Sequence, residues 1–547
     1  MKSSRFILLA AIVCCAVTAS AQQSLLVLAQ DAYHNRKYGE AITLLRSELE
    51  RNPSSDHARY YLGLSLWEAG SPEEAYSELK KARELSSKNG EYLYAFGVLC
   101  VELKKFEEAH AAFNDGLRLK ENPSPFLYGR GLLFMARDSL EQALLALLQA
   151  REANPENPKV YRAIADAYTK QRIMALAIDN YREAVRRDQE WTEARYTLGK
   201  LLQKEKLFNE ALAEFKEVVR LDPDYVEAYF DLGNLYYAGK RYTEAASTLA
   251  SFVEIKTDFY PAYFLLAKSL YASRQVESAL PHAQRAVALN PTAEAQRLLA
   301  NLYYENRDYE NAVQAFEKLA QPANKAELQA EDYVRWGRSQ TKLKENDEAI
   351  TQYQHAVVLD STLSEVYFEL GTLLVIQKRY AEAIPCFDKK IHADTTAAGA
   401  YFNKGIAYIG LSDWQAAIPV LKEGLRYKPD HLDGRLSLAR TYAQVDSFAQ
   451  AEAEYEEVLK LGPKHSEAYK QIGYYHLIKK SYTKAVQSLR KHVTLDPRSE
   501  YGWLWLAQGL ALNRQFAEAK TSYQKVLQIN PRNAEAQRGL EMLEQFQ

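Results

Sequence analysis

A chain of 547 residues is too long to organise around one compact core, so several domains or a repeat array are expected. Hydrophobic residues at 47% and charged residues at 26% exclude long disorder. Sixty-nine Lys plus Arg against 71 Asp plus Glu leave a formal net charge of −2, without the basic field that nucleic-acid binding requires.

The first 21 residues differ from everything that follows. Lys2 and Arg5 form a basic start, Phe6 to Val17 is an unbroken apolar run, and Ala19-Ser20-Ala21 has the small-residue pattern of a signal-peptidase site. A cleavable signal peptide over 1–21 is expected, with Gln22 as the new N-terminus. The run is shorter than the roughly 20 apolar residues that span a bilayer. A lipoprotein signal at Cys14 or Cys15 is the competitor, but Val13 and Cys14 stand where that signal needs a small residue. Once the segment is removed, Cys100 and Cys386 remain, too far apart in sequence to suggest a disulfide framework.

From residue 22 onward one alanine recurs: Ala41, Ala75, Ala109, Ala143, Ala177, Ala211, Ala245, Ala279, Ala312, Ala349, Ala383, Ala417, Ala451, Ala485 and Ala519. The step is 34 residues except for one of 33 and one of 37. Twelve residues before each alanine stands a Gly or Ala, and eight units carry a proline twelve residues after it, from Pro53 to Pro531. Numbering each unit so that the alanine is position 20, positions 4, 7, 8 and 11 share one helical face. The small residues at positions 8 and 20 predict two helices, A and B, crossing closely. Segments such as Gly239-Lys240-Arg241 supply the turn between them, and the proline ends helix B.

With Tyr229, Leu232-Gly233, Tyr236 and Ala245 in the seventh unit, and Leu198-Gly199, Ala211, Phe215 and Pro223 in the sixth, the chain resembles the tetratricopeptide repeat (TPR) family. The resemblance covers residues 22–533 as 15 units. It implies an all-α fold: an α-solenoid superhelix of stacked helix-turn-helix units, each burying its faces against its neighbours. Three extra residues within Gln321–Ala326 lengthen the connector between the ninth and tenth units. The array therefore reads as 22–328 (units 1–9) and 329–533 (units 10–15), the connector at 321–329 being a longer loop or a hinge. Residues 534–547, with Leu540, Met542, Leu543 and Phe546 as an apolar stripe, are expected to form a capping helix.

No P-loop, HExxH, GxSxG, CxxC pair or dinucleotide fingerprint occurs, and the ten histidines are not spaced for a metal site. Only 14 residues lie outside signal and repeats, which leaves no room for a catalytic domain. No enzyme, cofactor, metal or small-molecule substrate is expected. His476 and Cys100, both at position 11, are expected in the core. Many of the 38 tyrosines fall at repeat-fixed positions, among them Tyr38, Tyr242, Tyr309, Tyr380 and Tyr482 at position 17, where they pack the A–B turn.

The resemblance implies that helix A lines a concave groove through positions 2, 5, 9 and 12. In units 2 to 4 this stripe is apolar: Tyr60, Leu64, Trp67, Tyr94, Val98, Val101, Tyr128, Leu132 and Met135. Units 5 to 10 are mixed, with Arg162, Asp166, Lys200, Gln203, Asn234, Lys268, Arg297, Asn301 and Arg338. Units 11 and 12 turn apolar again at Phe368, Val375, Phe402, Ile406 and Ile409. Arg297, Asn301 and Arg338 match part of the carboxylate clamp of chaperone-binding relatives, but Val334 and Thr372 stand where the clamp needs polar partners. Exposed apolar surface marks interaction sites. The expected function is an exported scaffold, in the periplasm or at the cell surface, binding a protein or peptide segment in the groove. The alternative is a non-catalytic adaptor subunit of an envelope polysaccharide or peptidoglycan-synthesising complex. Trp67 and Tyr94 are expected to anchor the partner without supporting the fold.

Overall fold

In a computed structural model, residues 24–321 and 327–544 are described. The expected leader over 1–21, residues 322–326 of the longer connector, and Phe546 lie outside them. The described residues form 31 helices and no strand. Helix A of unit 2 is Asp56–Glu68 and its helix B is Pro72–Leu85, and every later unit repeats this pairing. The chain divides into two compact bodies at Ser269/Leu270, within the A helix Tyr260–Ala272, whereas the sequence reading divides it at the connector after residue 328. In each body, B helices pack against their own A helix and the next, and A helices of consecutive units also touch.

The recurring alanine is the reason the helices cross so closely. All fifteen copies, Ala41 through Ala519, have no exposed surface. Position 8 completes the crossing. A Cβ on Gly97 would lie 2.5 Å from the Phe113 ring, so a side chain there would drive the two helices of unit 3 apart.

The turn between the helices has one geometry throughout. Position 15 is left-handed in every unit, from Arg36 (φ 58°) to Arg514 (φ 61°), and only Gly70 among these fifteen residues is a glycine. In unit 7 it is Lys240 that adopts this conformation, while Gly239 stays at φ −77°. The Arg241 N–H donates to Tyr236 O at 2.8 Å and the Lys240 N–H to Tyr237 O at 2.9 Å, closing the end of helix A. A lysine there faces its helix's negative end favourably, but its Cβ is crowded in this backbone region. Lys240→Gly is therefore expected to stabilise the array by about 1 kcal/mol, read as a higher urea midpoint. An unchanged or lower midpoint would show that the lysine stem contributes more than the strain it carries. The proline of the eight units does not set the end of helix B. Units 2 and 5 lack it and still end helix B at the usual place, Leu85 and Arg187.

The C-terminal cap forms over Ala534–Glu544. Its buried side is Ala536 and Leu543 with Leu540 against them, while Met542 is 57% exposed and does not belong to the stripe. At the connector, Leu328 is buried in the core of the second body. Gln329 and Asp332 form a capping box at the head of Ala330–Leu343.

The two predicted core residues at position 11 are buried. Cys100 has no exposed surface and burial pushes its thiol up to about 12; Cys386, also buried, is pushed up to about 11. His476 is 8% exposed, its Nε2 is 3.4 Å from Glu452, and its Nδ1 has no partner among the described residues. His492 is buried between Ser466, 2.7 Å from Nδ1, and Ser499, 2.8 Å from Nε2. Burial lowers the pKa of both imidazoles, outweighing Glu452 at His476 and the Ser466 carbonyl at His492. The fold thus favours their neutral forms. Their contribution to stability is complete above the unfolded pKa, about 6.5, and is lost as pH falls from there toward the folded values. Between pH 7.5 and 5, amides of residues 466–512 are expected to lose more exchange protection than those of 56–119, whose His57 and His110 are not buried. Equal loss in both regions would contradict this.

Candidate functional site

The groove residues of units 2 to 4 lie on three consecutive A helices, Asp56–Glu68, Gly90–Glu102 and Ser124–Ala136. All nine are half-buried, one flank resting on core side chains such as Leu62, Leu99 and Leu147, the other open. The Tyr60 ring stacks on Tyr92 with centroids 4.6 Å apart, and Trp67 Nε1 donates to Glu102 at 2.8 Å. Burial raises the phenol pKa of Tyr60, Tyr94 and Tyr128, so all three are hydrogen-bond donors at neutral pH. Tyr94 and Tyr128 line a cavity of about 460 Å³ with Phe126 and Pro125, bordered by Glu91, Glu121 and Lys159. Because Trp67 and Tyr94 also pack against the core, the expectation that they leave the fold unsupported is corrected: part of each ring is structural.

In units 6, 7 and 10 to 12, groove side chains are engaged by the protein's own contacts. Position 9 of one unit meets position 6 of the next. Lys200 Nζ lies 2.8 and 3.0 Å from the Asp231 carboxylate, which also accepts from Tyr196 Oη at 2.8 Å. Arg338 pairs with Glu369 at 2.7 Å, and Asn403 donates to Thr372 Oγ1 at 3.1 Å. In the same place the apolar zone has small residues, Ala95, Gly129 and Ala163, opposite Leu64, Val98 and Leu132. No rung forms there, and the groove stays open.

Of Arg297, Asn301 and Arg338, expected as the polar stretch of the groove, both guanidiniums are engaged within the protein. Arg297 Nε lies 2.9 Å from both oxygens of Asp332, and a second guanidinium nitrogen donates to Glu327 O at 2.6 Å. Arg338 is held by Glu369, whose hydrogen bonds raise its pKa. Neither guanidinium is available for a ligand carboxylate. Asn301 Oδ1 is buried and has no partner among the described residues. Likewise Arg162 meets Glu193 at 3.4 Å, Asp166 accepts from the Tyr181 hydroxyl, and Lys268 lies over the Tyr237 and Phe264 rings.

In the second apolar stretch Phe368 and Val375 are half-buried, Ile409 is half-buried, and Ile406 is 38% exposed. Phe402 is mostly buried and reaches the groove only as part of one cavity wall, beside Phe368 and Ile406. It is 4% exposed and stacks on His431 with centroids 4.1 Å apart. Its ring fills the space left by Gly424 and Gly434, which stand where most other units carry side chains. A cavity of about 290 Å³ lies between Phe368, Asn403, Ile406 and Asp433, and one of about 340 Å³ between Ile406, Ile409, Trp414 and Arg440. Trp414, Arg440 and the stacked pair Tyr474–Trp505 (4.4 Å) escaped the sequence reading. The signal for Arg440 and the Tyr474–Trp505 pair was position 9 read together with position 6 of the following unit; Trp414, at position 17, had none.

Among the described residues no group of His, Cys, Asp and Glu could hold a metal, and no helix is long and apolar enough to cross a membrane.

Fifteen hairpins sharing one turn geometry and one buried alanine define a helical-repeat protein. It belongs to the tetratricopeptide repeat family. Models of that repeat match residues 26–90, 94–158, 128–190 and 264–327, and 202–270 and 408–472, together more than half of the chain. Similar solved structures include the C-terminal part of a TPR repeat-containing protein from Cytophaga hutchinsonii, at 22% identity over 51% of this chain and 99% of that one (TM-score 0.34). YrrB, described as a TPR protein with an unusual peptide-binding site, is 24% identical over 36% of this chain and 97% of its own (TM-score 0.28). The Cut9–Hcn1 hetero-tetramer of APC/C is 16% identical over 90% and 98% (TM-score 0.32). No curated protein matches the chain.

Proposed function

We propose that this protein is an exported scaffold that holds a partner protein by an apolar segment seated in the groove of units 2 to 4. The observation that carries this reading is the run of nine uncharged, half-buried side chains on three adjacent A helices, with the cavity at Tyr94 and Tyr128 among them. Polar rungs occupy the groove at Lys200–Asp231 and Arg338–Glu369, and here they are missing. An apolar surface of this extent favours association over exposure to water. An amphipathic helix or an extended apolar strand suits it.

Export rests on the leader-like residues 1–21, and places the scaffold in the periplasm or at the cell surface. The mature chain is expected to begin at Gln22; an intact mass showing lipid on Cys14 or Cys15 would overturn that. The groove is tested by installing p-benzoylphenylalanine at position 94 and irradiating the protein in envelope extract. Cross-links to one apolar segment of a single partner are expected. The same yield and pattern from the photo-group at Phe208, which is 52% exposed outside the groove, would overturn the assignment.

A further inference from the structure

Four groove cations stand at position 9 of their units: Lys200, Lys268, Arg338 and Arg440. Asp231 neutralises the first and Glu369 the third, each from position 6 of the next unit, and Lys268 is held over two aromatic rings. Arg440 breaks this order. Its position-6 neighbour is Gln471, whose amide is turned to Glu467 at 2.7 Å. Arg440 is exposed and makes no ion pair or hydrogen bond among the described residues; the Glu467 carboxylate, held by Lys470 and Gln471, acts on it only through space. It borders the cavity of about 340 Å³ whose other walls include Ile406, Ile409 and Trp414.

A guanidinium with no carboxylate in contact, beside open apolar surface, selects its complement. We infer that the groove of units 12 and 13 is a second docking site, separate from that of units 2 to 4, for a partner segment carrying an Asp or Glu side chain next to Leu or Ile. The acid takes the place that Asp231 and Glu369 fill elsewhere, and the aliphatic side chain covers Ile406 and Trp414. Asp433, two helical turns before Arg440, borders the adjoining cavity and also lacks an ion pair. It repels a second acid at that end, so the segment's charge sets its direction.

The test uses the full mature chain and a fluorescent peptide of alternating Leu and Glu, acetylated and amidated so that no terminal charge remains. It is expected to bind about fivefold more tightly than its Leu–Gln counterpart, the upper end of what a partly exposed pair supplies, and the preference should shrink with salt. Arg440→Gln should erase the preference and Arg440→Lys should keep most of it. Gln471→Glu should erase it as well, because it completes the missing rung and occupies Arg440 internally. No binding, or a preference that survives both Arg440→Gln and Gln471→Glu, overturns the inference. So does stronger binding of a Leu–Gln peptide with a free C-terminus, which would mark a chain-end carboxylate site. Loss of the preference in Trp67→Ala but not in Arg440→Gln would place the peptide in the first groove, overturning this inference and leaving the proposed function standing.

Discussion

Replacing Trp67 and Tyr94 together by Ala is expected to abolish partner capture through units 2 to 4 and to lower stability by about 3 kcal/mol. Each ring is a large, partly open aromatic at the middle of the groove, and such anchors contribute on the order of 2 kcal/mol apiece to binding. Two of them correspond to roughly a thousandfold in affinity. The stability loss follows from their inner flanks: both pack against the core of the first body, and Trp67 is fixed by its bond to Glu102. Leu79→Ala separates the two effects. Leu79 has no exposed surface and fills the crossing of unit 2, so its truncation costs about as much stability, 2–5 kcal/mol, without touching the groove. Binding kept in Leu79→Ala and lost in the double variant assigns the anchors. Equal loss of binding in both would mean that capture depends only on unit 2 being folded.

Asp332→Ala is the second variant with a large expected effect, about 3–5 kcal/mol of destabilisation. The Asp332 side chain is 3% exposed, takes both oxygens to Arg297 and accepts from the Gln329 N–H at 2.9 Å at the head of its helix. Removing it uncaps the helix and leaves a guanidinium, itself only 18% exposed, without its carboxylate. Position 3 is alanine in many other units, among them Ala58, Ala194, Ala228 and Ala468, so the shape of an alanine is tolerated there. Adding Arg297→Leu should therefore recover much of the loss. Calorimetry of both variants decides the matter. A single-variant loss under about 1 kcal/mol, or no recovery in the double variant, would show that the pair does not anchor the connector.

The fold was legible because its cause is local and repeated. A buried crossing demands a small residue at the same two positions in every unit, and that demand writes a period of 34 into the sequence. The cap was legible for the same reason, except that Met542 falls one residue off the buried stripe. The groove was legible only in part, because a stripe along one helix says nothing of what the next helix sets against it. Arg297 and Arg338 looked available until Asp332 and Glu369, some thirty residues on, were found beside them. Phe402 looked like Phe368, its equivalent one unit earlier, but two glycines on the neighbouring helices open a hole that takes its ring. Arg440 shows the converse: an unremarkable cation becomes informative only when Gln471 is seen where an acid stands elsewhere.

The rungs have a thermodynamic consequence. Each joins one unit to the next, so it sets the coupling between neighbours and not a unit's own stability. A linear stack of coupled units unfolds by creating boundaries between ordered and melted stretches, and boundaries form where coupling is weakest. Salt screens the Lys200–Asp231 and Arg338–Glu369 rungs but not the apolar contacts of Leu64, Val98 and Leu132. Rising ionic strength therefore moves the melting boundaries toward the interfaces that carry these rungs, those of unit 6 with 7 and of unit 10 with 11.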